Sequence, residues 1–93
     1  MATIRKITLD VLKPHRPNAL EFAAAVADLG QEMRVQVIVD AVDEKTESVL
    51  LVIEGGEIDF DAISQRISEL GATLHSIDAV EVVGTLKESS DAS

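Results

Sequence analysis

Hydrophobic and polar residues alternate along residues 4–13, where Ile7, Leu9 and Val11 occupy every second position. A period of two is typical of a strand that turns one face toward a core. Apolar segments at residues 33–42, 49–53 and 72–83 predict three further strands. The polar segment between the second and third of these four strands indicates a β-hairpin.

Two segments between the strands carry the signals of a helix start and a helix stop. Asn18 followed three residues later by Glu21 is a capping-box pattern, and Gly30 is the expected end of that helix. Asp59 and Gly71 bound the second helix in the same way. Its apolar residues recur at helical spacing, at Phe60, Ile63, Ile67 and Leu70.

The order strand–helix–strand–strand–helix–strand predicts an α+β fold of the ferredoxin-like type. In this two-layer βαββαβ sandwich, a four-stranded antiparallel sheet carries both helices on one face. We expect residues 1–84 to form this single domain. The small and charged residues 85–93 are expected to form a flexible C-terminal tail.

An apolar surface is expected on the sheet face without helices. The third strand is apolar on both faces, and Ile38 and Val42 are predicted to lie opposite Val35, Val37 and Val39. A stripe of this kind usually marks an interface, so we predict a homo-oligomer that uses the open face, the sheet edges or both. The alternative is a few isolated aliphatic residues on a monomer's surface.

Charge and composition limit the classes of partner that the 93-residue chain is expected to bind. Eight Lys and Arg against 17 Asp and Glu give a net charge of −9, which argues against nucleic acid and anionic membranes. The absence of cysteine excludes disulfides, thiolate zinc sites and cysteine nucleophiles. No apolar run is long enough to span a bilayer and the first residues lack a signal-peptide pattern, so a cytoplasmic protein is expected.

Most candidate ligand residues are expected at one end of the sheet. The topology gathers Lys13, His15 and Arg16 near the hairpin turn, and places His75 in the neighbouring fourth strand. The acidic residues of that hairpin are Asp43, Glu44 and Glu47. Histidines and carboxylates together suit a divalent cation, although turn carboxylates are commonly only solvated.

Asp10 lies in a central strand, where a carboxylate needs a partner or a ligand. One antiparallel register places Asp78 across from it, and two close carboxylates share a proton or hold a cation. The alternatives are that Asp10 faces solvent or pairs with Lys6 or Arg34. A cation site would draw on Asp10, His15, His75 and Asp78, and its mostly oxygen ligands favour Ca²⁺ or Mg²⁺.

The sequence offers little support for catalysis. Gly55 and Gly56 precede a helix, but the acidic residues around them oppose a bound phosphate and no lysine follows. No serine lies in a strand–turn–helix elbow, and His75 and Ser76, as adjacent strand residues, point to opposite faces. The chain is therefore expected not to be an enzyme.

Several motifs resemble a small archaeal family known only as domain-of-unknown-function family two-hundred-and-eleven. They are Leu9–His15 followed by a proline and Glu21-Phe22-Ala23, then Ile53-Glu54-Gly55 with Ile58-Asp59-Phe60, and His75–Asp78. The resemblance covers residues 4–84 and implies a ferredoxin-like domain that assembles into multi-subunit rings. The family has no established activity, so the resemblance assigns no catalytic residue. We expect a regulatory or scaffold module with ligand sites between subunits, or alternatively a protein whose assembly depends on a divalent cation.

Overall fold

A computed structural model describes residues 2–84 of the chain. Its elements are β1 (Ala2–Pro14), α1 (Ala19–Ala27), β2 (Arg34–Val42), β3 (Thr46–Glu54), α2 (Phe60–Glu69) and β4 (Thr73–Gly84). This order is the predicted βαββαβ arrangement of an α+β, ferredoxin-like fold. The tail predicted over residues 85–93 lies outside the described residues.

The four strands form one antiparallel sheet in the order β2-β3-β1-β4. Ile7, Leu9 and Val11 of β1 are buried, as their alternation predicts. Their partners in the ladder with β3 are buried as well, namely Ile53, Leu51 and Val49. The helices complete this core with Phe22, Val26, Ile63 and Ile67. The two central strands therefore supply most of the sheet's contribution to the core.

Both helix starts agree with the sequence. Asn18 Oδ1 accepts a hydrogen bond from the Glu21 amide at 2.8 Å, and Glu21 Oε1 accepts one from the Asn18 amide at 3.0 Å. This reciprocal pair is a complete capping box. Asp59 Oδ1 accepts from the Ala62 amide at 3.2 Å and caps α2 in the same manner.

The two helices end differently. Gly71 has a φ of 82°, and the amides of Gly71 and Ala72 donate to the carbonyls of Ser68 and Ile67, which is a Schellman motif. The predicted stop at Gly30 is wrong in detail, because α1 ends at Ala27 with Asp28 as its C-cap. The left-handed residue after α1 is Glu32, with a φ of 57°.

β-Bulges shift the register of the two edge strands. An extra residue interrupts the ladders at Arg5 in β1, at Asp40 in β2, and at His75 and Asp78 in β4. The bulge at Asp40 overturns one prediction: Val42 pairs with Glu47 and so lies on the helix-covered side with Val39. An extra residue reverses the facing of every position after it, and the alternation of apolar residues does not reveal that.

Candidate functional site

Lys13 is fully buried at the end of β1 that lies next to the β2–β3 turn. Its Nζ donates to the carbonyls of Pro14 at 2.8 Å and Pro17 at 2.7 Å, and lies 3.1 Å from Oε1 of Glu47. A buried ammonium is tolerated only when it is paired and its donors are satisfied. These three acceptors satisfy all three N–H groups, so Lys13 fixes the turn after β1 against β3.

Glu47 connects Lys13 to His15. Its other oxygen, Oε2, lies 3.1 Å from His15 Nδ1. His15 Nε2 in turn lies 3.0 Å from the carbonyl oxygens of both Asp43 and Glu44 in the β2–β3 turn. The Lys13–Glu47–His15 cluster therefore joins the end of β1, the start of β3 and the hairpin turn, as the topology predicts.

The ionisation of this cluster is shifted by its own contacts. The hydrogen bond that His15 donates to Glu47 raises the pKa of His15 above its usual 6.5, and the hydrogen bonds to the two turn carbonyls raise it further. The hydrogen bonds from His15 and then Lys13 lower the pKa of Glu47 below its usual 4.5. Both shifts favour the charged forms, so the cluster is a structural ion-pair network.

Asp10 and His75 meet on the open face of the sheet. Asp10 Oδ2 lies 3.5 Å from His75 Nδ1, and the His75 side chain is largely exposed. The residue paired with Asp10 in the ladder is Ser76, so the register that would place Asp78 directly across from Asp10 is not the one observed. Asp78 Oδ1 accepts a hydrogen bond from Ser76 Oγ at 2.8 Å. Within residues 2–84, Asp10 does not pair with Lys6 or Arg34, which both contact Glu54, and it lies on the open face, which was another predicted alternative.

The four predicted cation ligands therefore occupy separate places in one chain. His15 is held by Glu47 and the hairpin turn, while Asp10 and His75 form a pair and Asp78 binds Ser76. Among residues 2–84, no three His, Asp or Glu side chains are grouped closely enough to hold a metal ion. A cation site built on Asp10 and His75 would need further ligands from beyond residues 2–84, such as those of another chain.

Sequence reasoning did not find a row of alternating charges across the whole sheet. Arg34 of β2 pairs with Glu54 of β3, Glu54 with Lys6 of β1, and Lys6 with Glu81 of β4. Lys6 Nζ lies 3.2 Å and Arg34 Nη1 lies 3.9 Å from Glu54 carboxylate oxygens. Cross-strand neighbours of opposite charge stabilise a sheet modestly. Only the register brings these four residues into line, so the sequence alone does not reveal the row.

The open face carries an apolar patch beside these polar groups. Ile38 of β2 pairs with Leu50 of β3 on this face, and Leu12 of β1 lies one position further along. Ile38 and Leu12 are exposed, and Leu50 and Val52 are half-buried. The helices cover the other face only, so this patch has no cover within residues 2–84.

Strand β4 carries a second apolar surface, which we call the β4 strip: Ile77, Val80 and Val82. They pair with Leu9, Ile7 and Ile4, and therefore lie on the side of the sheet that carries the helices. Their exposures are nevertheless 53%, 55% and 48%, because the helices do not extend over this part of the edge. Edge β2 shows the same feature at Val39 and Val42, which are 43% and 63% exposed.

Two comparisons with known proteins place the chain in a family. Residues 5–91 match the profile of domain-of-unknown-function family 211 (DUF211), described as uncharacterised ArCR. The chain belongs to DUF211. The uncharacterised protein MJ0319 of Methanocaldococcus jannaschii is 44% identical over 80 residues, which cover 86% of this chain and 82% of that protein. The resemblance seen in the motifs is thus confirmed. Among residues 2–84, no helix of this DUF211 protein is long and apolar enough to cross a membrane.

Proposed function

We propose that this DUF211 protein is a non-enzymatic module of the cytoplasm that works as a homo-oligomer, with ligand sites between its subunits. The observation that carries the proposal is the β4 strip. Three aliphatic side chains on an edge strand are about half exposed, although their partners in the ladder are in or against the core. Apolar surface next to unpaired backbone groups on an edge favours pairing with another chain.

The opposite edge supports a head-to-tail contact. Val39 and Val42 expose aliphatic surface on β2 on the same side of the sheet as the β4 strip. A β4 edge that packs against the β2 edge of the next copy is a heterologous contact, and such contacts generate rings when the rotation closes. The open-face patch around Ile38 supplies a further surface for contact between copies. We therefore propose a closed ring as the form of the oligomer.

The position of the polar groups supports ligand sites between subunits. Asp10 lies in β1 beside the open-face patch, and His75 and Asp78 lie in the edge strand β4. A second subunit on either surface would enclose their polar atoms between two chains. A small effector or a cation would bind at such an enclosed position, which supports a regulatory or scaffold role over a catalytic one.

A metal-linked assembly is the second candidate, and the observation that favours it is the Asp10–His75 pair. Two potential ligands 3.5 Å apart on an uncovered surface make half of a coordination site, which a second chain would complete. Ca²⁺ or Mg²⁺ would take oxygens of Asp10 and Asp78 there. His15 would have to leave Glu47 and the hairpin turn to join it, so it is the weakest of the four predicted ligands.

Sedimentation of three variants tests the assembly. Val80→Lys and Val82→Lys place a charge on the β4 strip without adding to the negative charge of the chain. Leu20→Lys is the matched control, because Leu20 is a 79% exposed aliphatic residue that lies on helix α1 and not in an edge strand. We expect the wild type and Leu20→Lys to sediment as oligomers at micromolar concentration, and the two β4 variants to shift toward the 10.0 kDa monomer. A monomeric wild type would overturn the proposal.

The same measurement separates the two candidates. Wild-type protein is sedimented and melted in EDTA, and again with excess CaCl₂. A metal-linked oligomer must lose mass and melting temperature in EDTA and regain both with Ca²⁺, because a cation that binds only the assembled form stabilises it by mass action. An unchanged oligomer in both solutions rules out the metal-linked form and leaves assembly by apolar contact.

A further inference from the structure

An open depression of about 390 Å³ lies at the end of the sheet opposite the Lys13–Glu47–His15 cluster. Three basic residues, three acidic residues and the Gly55-Gly56 turn line it, with no apolar side chain among them. Its volume falls in the range of small-molecule sites, but its polar lining suits a small polar ligand rather than an apolar one. All of these residues belong to one chain, and two of them, Arg34 and Glu81, lie in the edge strands β2 and β4.

A β-bulge brings two basic side chains to this depression. Consecutive strand residues normally point to opposite faces of a sheet. Arg5 is the extra residue in β1, because Ile4 pairs with Val82 of β4 and Lys6 pairs with the adjacent Glu81. Arg5 and Lys6 both line the depression. The carbonyl of Arg5 accepts the Gly55 amide at 3.0 Å, which fixes the bulge against the glycine turn. Bulges commonly serve to redirect a side chain toward a site.

Three of the six charged side chains in the depression already contact one another. Glu54 receives both Lys6 and Arg34, at 3.2 and 3.9 Å. The remaining charged groups are the guanidinium of Arg5 and the carboxylates of Glu32 and Glu81. Within residues 2–84, none of these three has an ion-pair partner within 4.0 Å. The depression thus offers a ligand one positive group and two negative groups.

The backbone at Glu32 adds a second, independent feature. Glu32 adopts a φ of 57°, in the left-handed region that residues with a side chain seldom occupy. Such conformations persist where the surrounding structure imposes them, and they cluster at ligand sites. Here the conformation lies in the lining of the depression, immediately before β2 begins.

We propose that this depression binds a small zwitterion, a free α-amino acid with a small or polar side chain. Its carboxylate pairs with the guanidinium of Arg5, which forms bidentate hydrogen bonds to carboxylates. Its ammonium group pairs with the carboxylates of Glu32 and Glu81. A phosphate or a dicarboxylate would place its charge against these two carboxylates, so the site disfavours anions that carry no ammonium group.

Amide spectra of the ¹⁵N-labelled full chain test this proposal, recorded by TROSY so that an oligomer stays visible. The probes are L-serine, acetate, ethanolamine and inorganic phosphate. Acetate carries only the carboxylate of the zwitterion, and ethanolamine carries only its ammonium group. We expect saturable shifts of the Gly55, Gly56 and Glu32 amides with L-serine and much weaker binding of the other three compounds.

Two variants and two controls locate the binding. Arg5→Gln and Glu81→Gln each remove a charge from the site, whereas Arg16→Gln and Glu44→Gln remove the same charges at the opposite end of the sheet. We expect the first two to weaken L-serine binding by about tenfold or more, the usual effect of losing one charge-assisted hydrogen bond, and the controls to leave it unchanged. Sedimentation of the same variants should show the wild-type mass, because none of them changes the β4 strip.

Three results would overturn the proposal. The first is shifts of equal size with acetate or phosphate, which would indicate a simple anion site. The second is the absence of saturable shifts with L-serine, and the third is an equal loss of L-serine binding in the control variants. Each of them leaves the proposed assembly untouched, and a monomeric wild type that binds L-serine would refute the assembly alone.

Discussion

His15 has an oxygen atom against each of its ring nitrogens. Nδ1 lies 3.1 Å from Glu47, and Nε2 lies 3.0 Å from the carbonyls of Asp43 and Glu44. A neutral imidazole donates from one nitrogen only, so its other nitrogen would turn a lone pair toward an oxygen. The protonated ring donates on both sides. The geometry and the raised pKa thus agree that folding stabilises the imidazolium form.

The cluster should make stability depend on pH in a defined direction. The folded state raises the pKa of His15 above 6.5, so this contribution is complete below pH 6.5 and is lost as pH rises through the folded pKa. It lowers the pKa of Glu47 below 4.5, so that contribution is complete above pH 4.5 and is lost as pH falls through the folded value. Both contributions are present together between pH 4.5 and 6.5.

Denaturant unfolding of His15→Gln measures the histidine contribution. We expect this variant to be less stable than the wild type at pH 5.5 and to approach it as the pH rises toward 8.5, because the contribution of the charged ring is lost as the pH rises through the raised pKa of His15. His75→Gln is the control, since its side chain is 76% exposed and its ion-pair contact among residues 2–84 is with Asp10. A difference between His15→Gln and wild type that stays constant across this pH range would contradict the assignment.

At the scale of elements, all four extra residues in the bulges are charged or carry an imidazole. Arg5, Asp40, His75 and Asp78 each stand outside the regular ladder, where a side chain is not forced toward the core. The helix N-caps were predicted well because each depends on a residue type at a fixed offset, such as Asn18 with Glu21. The register between strands was not predicted well, because it depends on the position at which an extra residue enters a strand. The same reason explains why the pairing of Asp10 with Ser76 and His75 became clear only in the structure.

The end of α2 provides a test of local backbone conformation. An alanine at Gly71 would meet Pro14 Cγ at an ordinary 3.8 Å, so space is available, but the φ of 82° disfavours any side chain. We expect Gly71→Ala to lower the free energy of unfolding by about 1 kcal/mol. Gly56→Ala, whose Cβ would meet nothing within 4 Å, should change it by less than about 0.5 kcal/mol. Equal losses in the two variants would show that the Gly71 conformation is unimportant.

At the scale of the whole molecule, the net charge of −9 opposes the proposed assembly of identical subunits. The surfaces proposed for contact are aliphatic, so their attraction does not depend on charge, whereas the repulsion between subunits does. Salt screens charges that are separated by more than a few ångströms. The balance between these two effects therefore depends on ionic strength.

We expect assembly to strengthen with salt. Sedimentation equilibrium at about 0.05 M and about 1 M NaCl should give a lower dissociation constant at the higher concentration, since the screening length falls to roughly 3 Å at 1 M. The variant Val80→Lys should assemble poorly at both concentrations. An oligomer that dissociates at 1 M NaCl would instead indicate subunit contacts made by ion pairs.

The interrupted β4 ladder also bears on what an exposed edge strand can become. Fibrils of the cross-β type grow when identical flat strands stack in register without limit. Each bulge adds local twist and leaves one residue unpaired, so the extra residues at His75 and Asp78 deprive β4 of that flat, regular repeat. The aliphatic surface of β4 remains available for one specific contact, but the strand is a poor template for the repeated stacking of a fibril. The irregularities of β4 thus disfavour in-register stacking of this strand with copies of itself.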